Sequence, residues 1–218
     1  MSKYDSLFEK GYYFGDTSDM SFDMDEYDRK CKEVFSFERT KEKYFEYFNI
    51  APDLPHRIPY TEREERLRYL KTKPDIYAFN SANSLIESDE TKNQINYFRD
   101  IISDFIPKIY PDLDKNKITI SSSIQMYQDG DYQQSHFDGH VGICSIIFYF
   151  SEMTNYNHTG RLQILESRYS ENVIDMVDPI NGKFAIFDAV QNNVKHRVEQ
   201  VKGDFKRFSY LGQIRKID

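Results

Sequence analysis

The stretch that decides the fold runs from Lys117 to Phe150, KITISSSIQMYQDGDYQQSHFDGHVGICSIIFYF. Lys117 to Tyr127 is strand-like, Gln128-Asp129-Gly130-Asp131 supplies a turn, and Tyr132 to Asp138 is a second strand. Val141 to Phe150 is a third. Its Ile143-Cys144-Ser145-Ile146-Ile147-Phe148-Tyr149-Phe150 run is the most apolar of the chain and marks a central strand.

Toward the C-terminus the pattern continues. A polar loop from Ser151 to Thr159 leads to expected strands at Gly160 to Glu166, Val173 to Val177, Phe184 to Phe187, Val194 to Val201 and Phe205 to Ile214. Pro179-Ile180-Asn181-Gly182 makes a strong turn before one of them. Toward the N-terminus the period is helical. Ile95, Phe98, Ile102, Phe105, Ile106 and Ile109 form one apolar stripe on a helix beginning at Asp89 or Thr91, which Pro107 is expected to end or bend near Phe105. Thr61-Glu62-Arg63-Glu64 has capping-box spacing and opens a surface helix through Leu70. One or two short amphipathic helices are expected between Asp25 and Phe48, after a mixed segment over residues 1–24. Residues 51–59 hold three prolines and form a connection.

Eight short strands after helices, with no crossover helices between them, argue against a doubly wound α/β fold. They predict a mainly β protein with N-terminal helices, its strands forming an antiparallel jelly roll, or double-stranded β-helix, with helices packed on one sheet. The expected organisation is a helical support over residues 1–115 and a β core over residues 116–218, within one structural domain.

Composition narrows the function. The formal charge of −7 and a pI of about 5.3 give no footprint for nonspecific binding to nucleic acid or an anionic membrane. Cys31 and Cys144 are too few and too far apart for a disulfide framework. Residues 1–18 lack a basic-then-apolar signal pattern, and no apolar run approaches membrane-spanning length. The expectation is a cytoplasmic protein, which leaves the Asn157-His158-Thr159 glycosylation match without significance.

His136 and Asp138 are two apart, so an extended backbone projects both to the same side. His196 lies 58 residues beyond Asp138, in a different expected strand. Two imidazoles and one carboxylate on one face of an ion are the ligands of a non-haem Fe(II) centre, which leaves neighbouring positions open for a co-substrate and dioxygen. His140 continues the alternation, but Gly139 is placed to turn the chain first. Gln125 shares the Tyr127 face, Asn193 is a weaker candidate, and nothing is assigned to His56 or His158.

The segment from Met126 to Leu211 resembles the Fe(II)/2-oxoglutarate-dependent dioxygenases, particularly the prolyl 4-hydroxylase-like superfamily. The resemblance is carried by Tyr127-Gln-Asp-Gly-Asp-Tyr132 ahead of His136-Phe137-Asp138, then by Ile147-Phe-Tyr149-Phe150 and Gly160-Arg161-Leu162. It continues through Asp178-Pro179, Gly182 and Phe187 to His196-Arg197-Val198 and Arg207-Phe208-Ser209. The pieces occur in family order across about 90 residues, whereas the first 115 residues carry no such signature.

That resemblance implies that His136, Asp138 and His196 ligate Fe(II), and that 2-oxoglutarate and dioxygen are co-substrates giving succinate and carbon dioxide. It implies that Arg207 pairs with the distal carboxylate of 2-oxoglutarate, assisted by Ser209, with Tyr149 and Tyr127 near the two ends of the cofactor. An arginine can meet that carboxylate bidentately. The family often places its basic residue ten positions after the distal histidine, at Lys206 here. Arg207 keeps the Arg-x-Ser pattern, and a bulge would reverse the choice. Related halogenases replace the carboxylate ligand by Gly or Ala, so Asp138 argues for hydroxylation or another oxidation. Arg161 is a candidate for an anionic substrate group or a solvated side chain.

The favoured substrate is a free amino acid or similar small metabolite, since no peptide-binding repeat or second domain is evident. A protein or peptidyl-prolyl substrate is the alternative. A cupin-like metal protein without 2-oxoglutarate would have no need for the Arg207 and Ser209 pair, and a metal-free binding barrel would leave His136, Asp138 and His196 scattered.

Overall fold

The computed structural model describes residues 4–20, 23–34, 89–127, 129–130, 132–138, 142–151, 153–189 and 194–217. The expected helix from Thr61 to Leu70, the Pro-rich connection and the residues beyond Val34 in the early helical region lie outside them, as do His56, His140 and Asn193. The described elements are α1 (Asp5–Lys10), β1 (Tyr12–Asp16), a 3-10 turn at Thr17–Asp19, α2 (Met24–Val34) and α3 (Asp89–Ile109). They continue with β2 (Ile118–Tyr127), β3 (Gln133–His136), β4 (Cys144–Tyr149), β5 (Leu162–Leu165), β6 (Val173–Val177), β7 (Lys183–Asp188), β8 (His196–Val198) and β9 (Arg207–Lys216).

Two antiparallel sheets face each other, one in the order β1-β7-β4-β9-β2 and the other β3-β8-β5-β6. This is the jelly-roll architecture expected from the strand pattern. The apolar run at 143–150 supplies β4, the middle strand of the larger sheet, hydrogen-bonded to β7 on one side and β9 on the other.

Strand alternation sorts the core into two layers. Cys144, Ile146 and Phe148 of β4, with Ile124, Met126, Phe208 and Tyr210, face the helices. Tyr149, with Tyr127, Ala185 and Phe187, faces the interior between the sheets, where Leu162, Ile164 and Val198 of the smaller sheet meet them. The buried apolar side chains of the described helices join the helix-side layer: Leu7 from α1, Tyr27 from α2, and Phe98, Ile102, Phe105, Ile106 and Ile109 from α3. Phe98 stacks on Phe150 at 5.5 Å and on Tyr210 at 4.9 Å. Gly212 lets α3 approach the sheet, because a Cβ there would come within 2.5 Å of Ile102 Cδ1. The Tyr27 hydroxyl donates to the carbonyl of Tyr149 at 3.1 Å, tying α2 to the central strand.

Two features depart from the sequence reading. Helix α3 does not stop near Phe105 but runs to Ile109 with Pro107 inside it. Proline removes one backbone donor from the last turn, but burial of Ile106 and Ile109 against the sheet holds that turn in place. The N-terminal segment also contributes a ninth strand. β1 pairs with β7 from Tyr12↔Phe187 to Asp16↔Lys183. The Tyr12 hydroxyl then donates to Asp175 of β6 at 3.0 Å, joining the open edges of the two sheets. No described helix is long and apolar enough to cross a membrane.

Candidate metal centre and its chamber

β3 pairs with β8, and a register shift between Gln133 and His136 leaves His136 directly opposite His196. The irregularity matters, because a one-residue slip inverts which side chains face the interior. Asp138 follows two residues after His136, just beyond the strand. Ligand atoms of His136, Asp138 and His196 lie within 4.8 Å of one another. His136 Nε2 is 3.6 Å from Asp138 Oδ1, and His196 Nε2 is 3.9 Å from Asp138 Oδ2. Asp138 and His196 are buried, and His136 is partly so.

The orientation of His196 is fixed from two sides. Its Nδ1 lies 3.1 Å from the carbonyl of Val194. A carbonyl only accepts, so Nδ1 carries the hydrogen and the Nε2 lone pair is left to face Asp138. Phe187 stacks on the same ring with centroids 4.2 Å apart and planes 13° apart. Two imidazole nitrogens and a carboxylate in one cluster would suit a divalent iron ion.

Deeper between the sheets lies a buried arginine. Arg207 is 1% exposed, whereas Lys206 is exposed, so burial separates the two basic candidates. The Arg207 Nε donates to the carbonyl of Gly160 and one terminal nitrogen donates to Ser209 Oγ, both at 3.0 Å. Its guanidinium carbon lies 4.7 Å from the ring centre of Tyr127 and 5.2 Å from that of Tyr149. Gly160 makes this seat possible. Its φ is +68°, and a Cβ would meet Val201 Cγ2 at 2.8 Å and Arg207 Cδ at 3.4 Å.

The ladders explain why these residues meet. Arg207 is opposite Tyr127, and Ser209 is opposite both Gln125 and Tyr149, so all five share the interior face. The buried Tyr149 hydroxyl makes no hydrogen bond of normal geometry to a described residue. Burial raises its pKa well above the usual tyrosine range, with Arg207 opposing only part of that rise. It therefore stays protonated as a donor. A buried cation with unspent N–H groups, beside a protonated phenol and a serine, fits the second carboxylate of a dicarboxylic acid.

Other sequence candidates play different parts. Arg161 is held by Glu199 through two charge-assisted bonds of 2.8 and 2.9 Å. His158 is exposed and packs on Tyr156. Ser145 and the contact of Phe187 with His196 stand outside the sequence expectations. The usable signal for Ser145 was a hydroxyl in the most apolar strand, four residues before Tyr149 and on its face.

Comparison with known proteins agrees with this geometry. The sequence model of the 2OG-Fe(II) oxygenase superfamily matches residues 122–215. No curated protein matches the chain by sequence. Among solved structures, a Pseudomonas putida prolyl-4-hydroxylase aligns with a TM-score of 0.54 at 13% identity, over 97% of this chain and 96% of that one. A Trichoplax adhaerens prolyl hydroxylase in complex with a hypoxia inducible factor peptide aligns at 0.57 and 12% identity, over 97% and 86%. The Arabidopsis thaliana dioxygenase for auxin oxidation 1, in complex with 2-oxoglutarate, aligns at 0.56 and 15% identity, over 99% and 87%. At these identities the likeness is one of fold. The residues matched by the superfamily's sequence model include all three clustered ligands, so it is the segment carrying the cluster that is similar to the 2OG-Fe(II) oxygenases.

Proposed function

We propose that the protein is an Fe(II)- and 2-oxoglutarate-dependent hydroxylase acting on a side chain of a protein or peptide, with a prolyl residue as the leading target. The observation that carries the cofactor reading is the pairing of the His136, Asp138 and His196 cluster with a buried Arg207 in the same interior. In this reading the cluster holds Fe(II). Arg207 and Ser209, with the Tyr149 hydroxyl, hold the distal carboxylate of 2-oxoglutarate, and Tyr127 positions the guanidinium from its other side.

When bound, Fe(II) and 2-oxoglutarate supply with dioxygen the oxidising power that turns a C–H bond into C–OH, with succinate and carbon dioxide as co-products. The chain's own work is binding and exclusion. Val194 keeps His196 in the tautomer whose Nε2 carries the lone pair. Arg207 fixes the co-substrate by charge and direction. Leu162, Val177, Val198, Val201 and Phe205 seal the deep end against water.

The substrate assignment differs from the small metabolite favoured by the sequence, for two reasons. The buried apolar side chains of the described helices pack on the outer face of the larger sheet, so among the described residues no helix lays its apolar face over the ligand cluster. A rim cavity of about 460 Å³, lined by Phe137, Leu165, Arg168, Val194 and Lys195 among others, adjoins the residues next to all three ligands. An extended substrate can approach such a rim from outside. The fold likeness to prolyl hydroxylases, one solved with its peptide, supports the same reading. A small-molecule substrate is the second reading, supported by the likeness to the auxin-oxidising enzyme. The absence of a disulfide framework in the sequence supports a cytoplasmic setting.

The test is succinate release from 2-oxoglutarate by Fe(II)-loaded protein, run in parallel with prolyl peptides and with free amino acids. Peptide-stimulated succinate that disappears in His136→Ala supports the proposal. Stimulation by amino acids alone selects the second reading. Failure of the loaded protein to bind 2-oxoglutarate or to release any succinate overturns both.

A further inference from the structure

Ser145 is fully buried in the central strand β4, yet its hydroxyl has no hydrogen-bond partner among the described residues. Leaving such a group unpaired in an interior is unfavourable, so the position calls for an occupant. Its surroundings identify one. By strand alternation Ser145, Ile147 and Tyr149 share the face that lines the space between the sheets. Across the ladders Ser145 is opposite Phe187 on one side and Gln213 on the other. Phe187 lies flat on His196. The column of β4 thus carries a buried hydroxyl at each end, Tyr149 beside Arg207 and Ser145 opposite the phenylalanine that stacks on His196.

The spacing suits a short diacid. Four strand residues span roughly 13 Å at about 3.3 Å each. A hydrogen bond of roughly 3 Å at either end leaves roughly 7 Å, about the length of a five-carbon dicarboxylate.

We propose that Ser145 is a binding residue for 2-oxoglutarate, its hydroxyl donating to the carboxylate at the metal end of the acid while Arg207 and Ser209 hold the other. The inference rests on the cofactor reading above. A hydroxyl can rotate to donate, and a carboxylate can only accept. The serine therefore adds a second polar anchor, and the diacid is held at both ends by the protein as well as by iron.

The test compares wild type with Ser145→Ala in two measurements, calorimetric titration of anaerobic Fe(II)-loaded protein with 2-oxoglutarate, and thermal melting of the ligand-free protein. The proposal expects the 2-oxoglutarate dissociation constant to rise about fivefold or more, the loss of a hydrogen bond to a charged group. It expects Fe(II) affinity to stay unchanged and the ligand-free melting temperature to stay equal or rise, since an unpaired buried hydroxyl has been removed. A smaller rise in the dissociation constant overturns it. So does a weaker affinity accompanied by a lower melting temperature, which marks a structural serine. Wild-type protein that binds Fe(II) but not 2-oxoglutarate overturns the cofactor reading itself and the inference with it.

Discussion

Phe187 lies almost flat on the imidazole of His196, the ring centroids 4.2 Å apart and the planes 13° from parallel. The two come from different sheets, Phe187 from β7 and His196 from β8, so the stack is a tertiary contact across the barrel interior. Together with the Val194 carbonyl it leaves the ring one orientation. Replacement of Phe187 by Leu keeps the site apolar but removes the flat surface. The expected outcome is Fe(II) affinity weakened about tenfold, the usual scale for loss of a group that orients a ligand. Metal titration of the wild type and the variant, alongside their melting curves, checks it. Equal metal affinities would show that the stack is packing alone.

Arg207 and Lys206 are neighbours in sequence and opposites in burial. Arg207→Lys keeps the charge but loses the planar fork held by Gly160 and Ser209. We expect the 2-oxoglutarate concentration needed for half-maximal succinate release to rise by about two orders of magnitude, the cost of roughly two charge-assisted hydrogen bonds. Lys206→Ala should leave it within about twofold, as for an exposed side chain away from the site. Reversal of the two results would move the carboxylate partner to Lys206.

Gly160 holds a left-handed backbone conformation and leaves no room for a Cβ beside Val201 and Arg207. Gly160→Ala should lower unfolding stability by about 1–3 kcal/mol from backbone strain. It should also weaken 2-oxoglutarate binding, because the Gly160 carbonyl holds Arg207 Nε. Urea denaturation and a 2-oxoglutarate titration on the same variant test both effects. Unchanged stability would mean that the loop relaxes freely.

Acid sensitivity has an assignable component at the Arg161 and Glu199 pair. The hydrogen bonds from Arg161 hold the Glu199 carboxyl below its usual range, against the opposing effect of burial. A depressed carboxylate pKa gives stability that is fully present above the unfolded value, about 4.3 for glutamate, and lost as pH falls through the folded value. Melting temperature should therefore drop below about pH 4.3 in the wild type. Glu199→Gln should start lower at neutral pH and fall less steeply on acidification. Parallel curves for the two proteins would assign the acid loss to other groups.

Much of this protein was determined by its sequence alone. Period-two patterning from Lys117 onward marks eight strands, because a half-buried strand must alternate its faces. The His136 and Asp138 pair is legible for the same reason, since residues two apart on an extended chain share a side. The Arg207-x-Ser209 pair, on one face of β9, follows the same rule.

Only the tertiary structure decided the rest. Strand β1 has no decisive pattern of its own and exists through its ladder to β7, about 170 residues away. The continuation of α3 past Pro107 depends on the sheet that buries Ile106 and Ile109. The bulge in β3 sets His136 against His196, and the folded barrel lays Phe187 on His196 and leaves the Ser145 hydroxyl facing inward. These are long-range pairings. Local propensity and spacing carry no record of them, because their free energy appears only when distant segments bury a common interior.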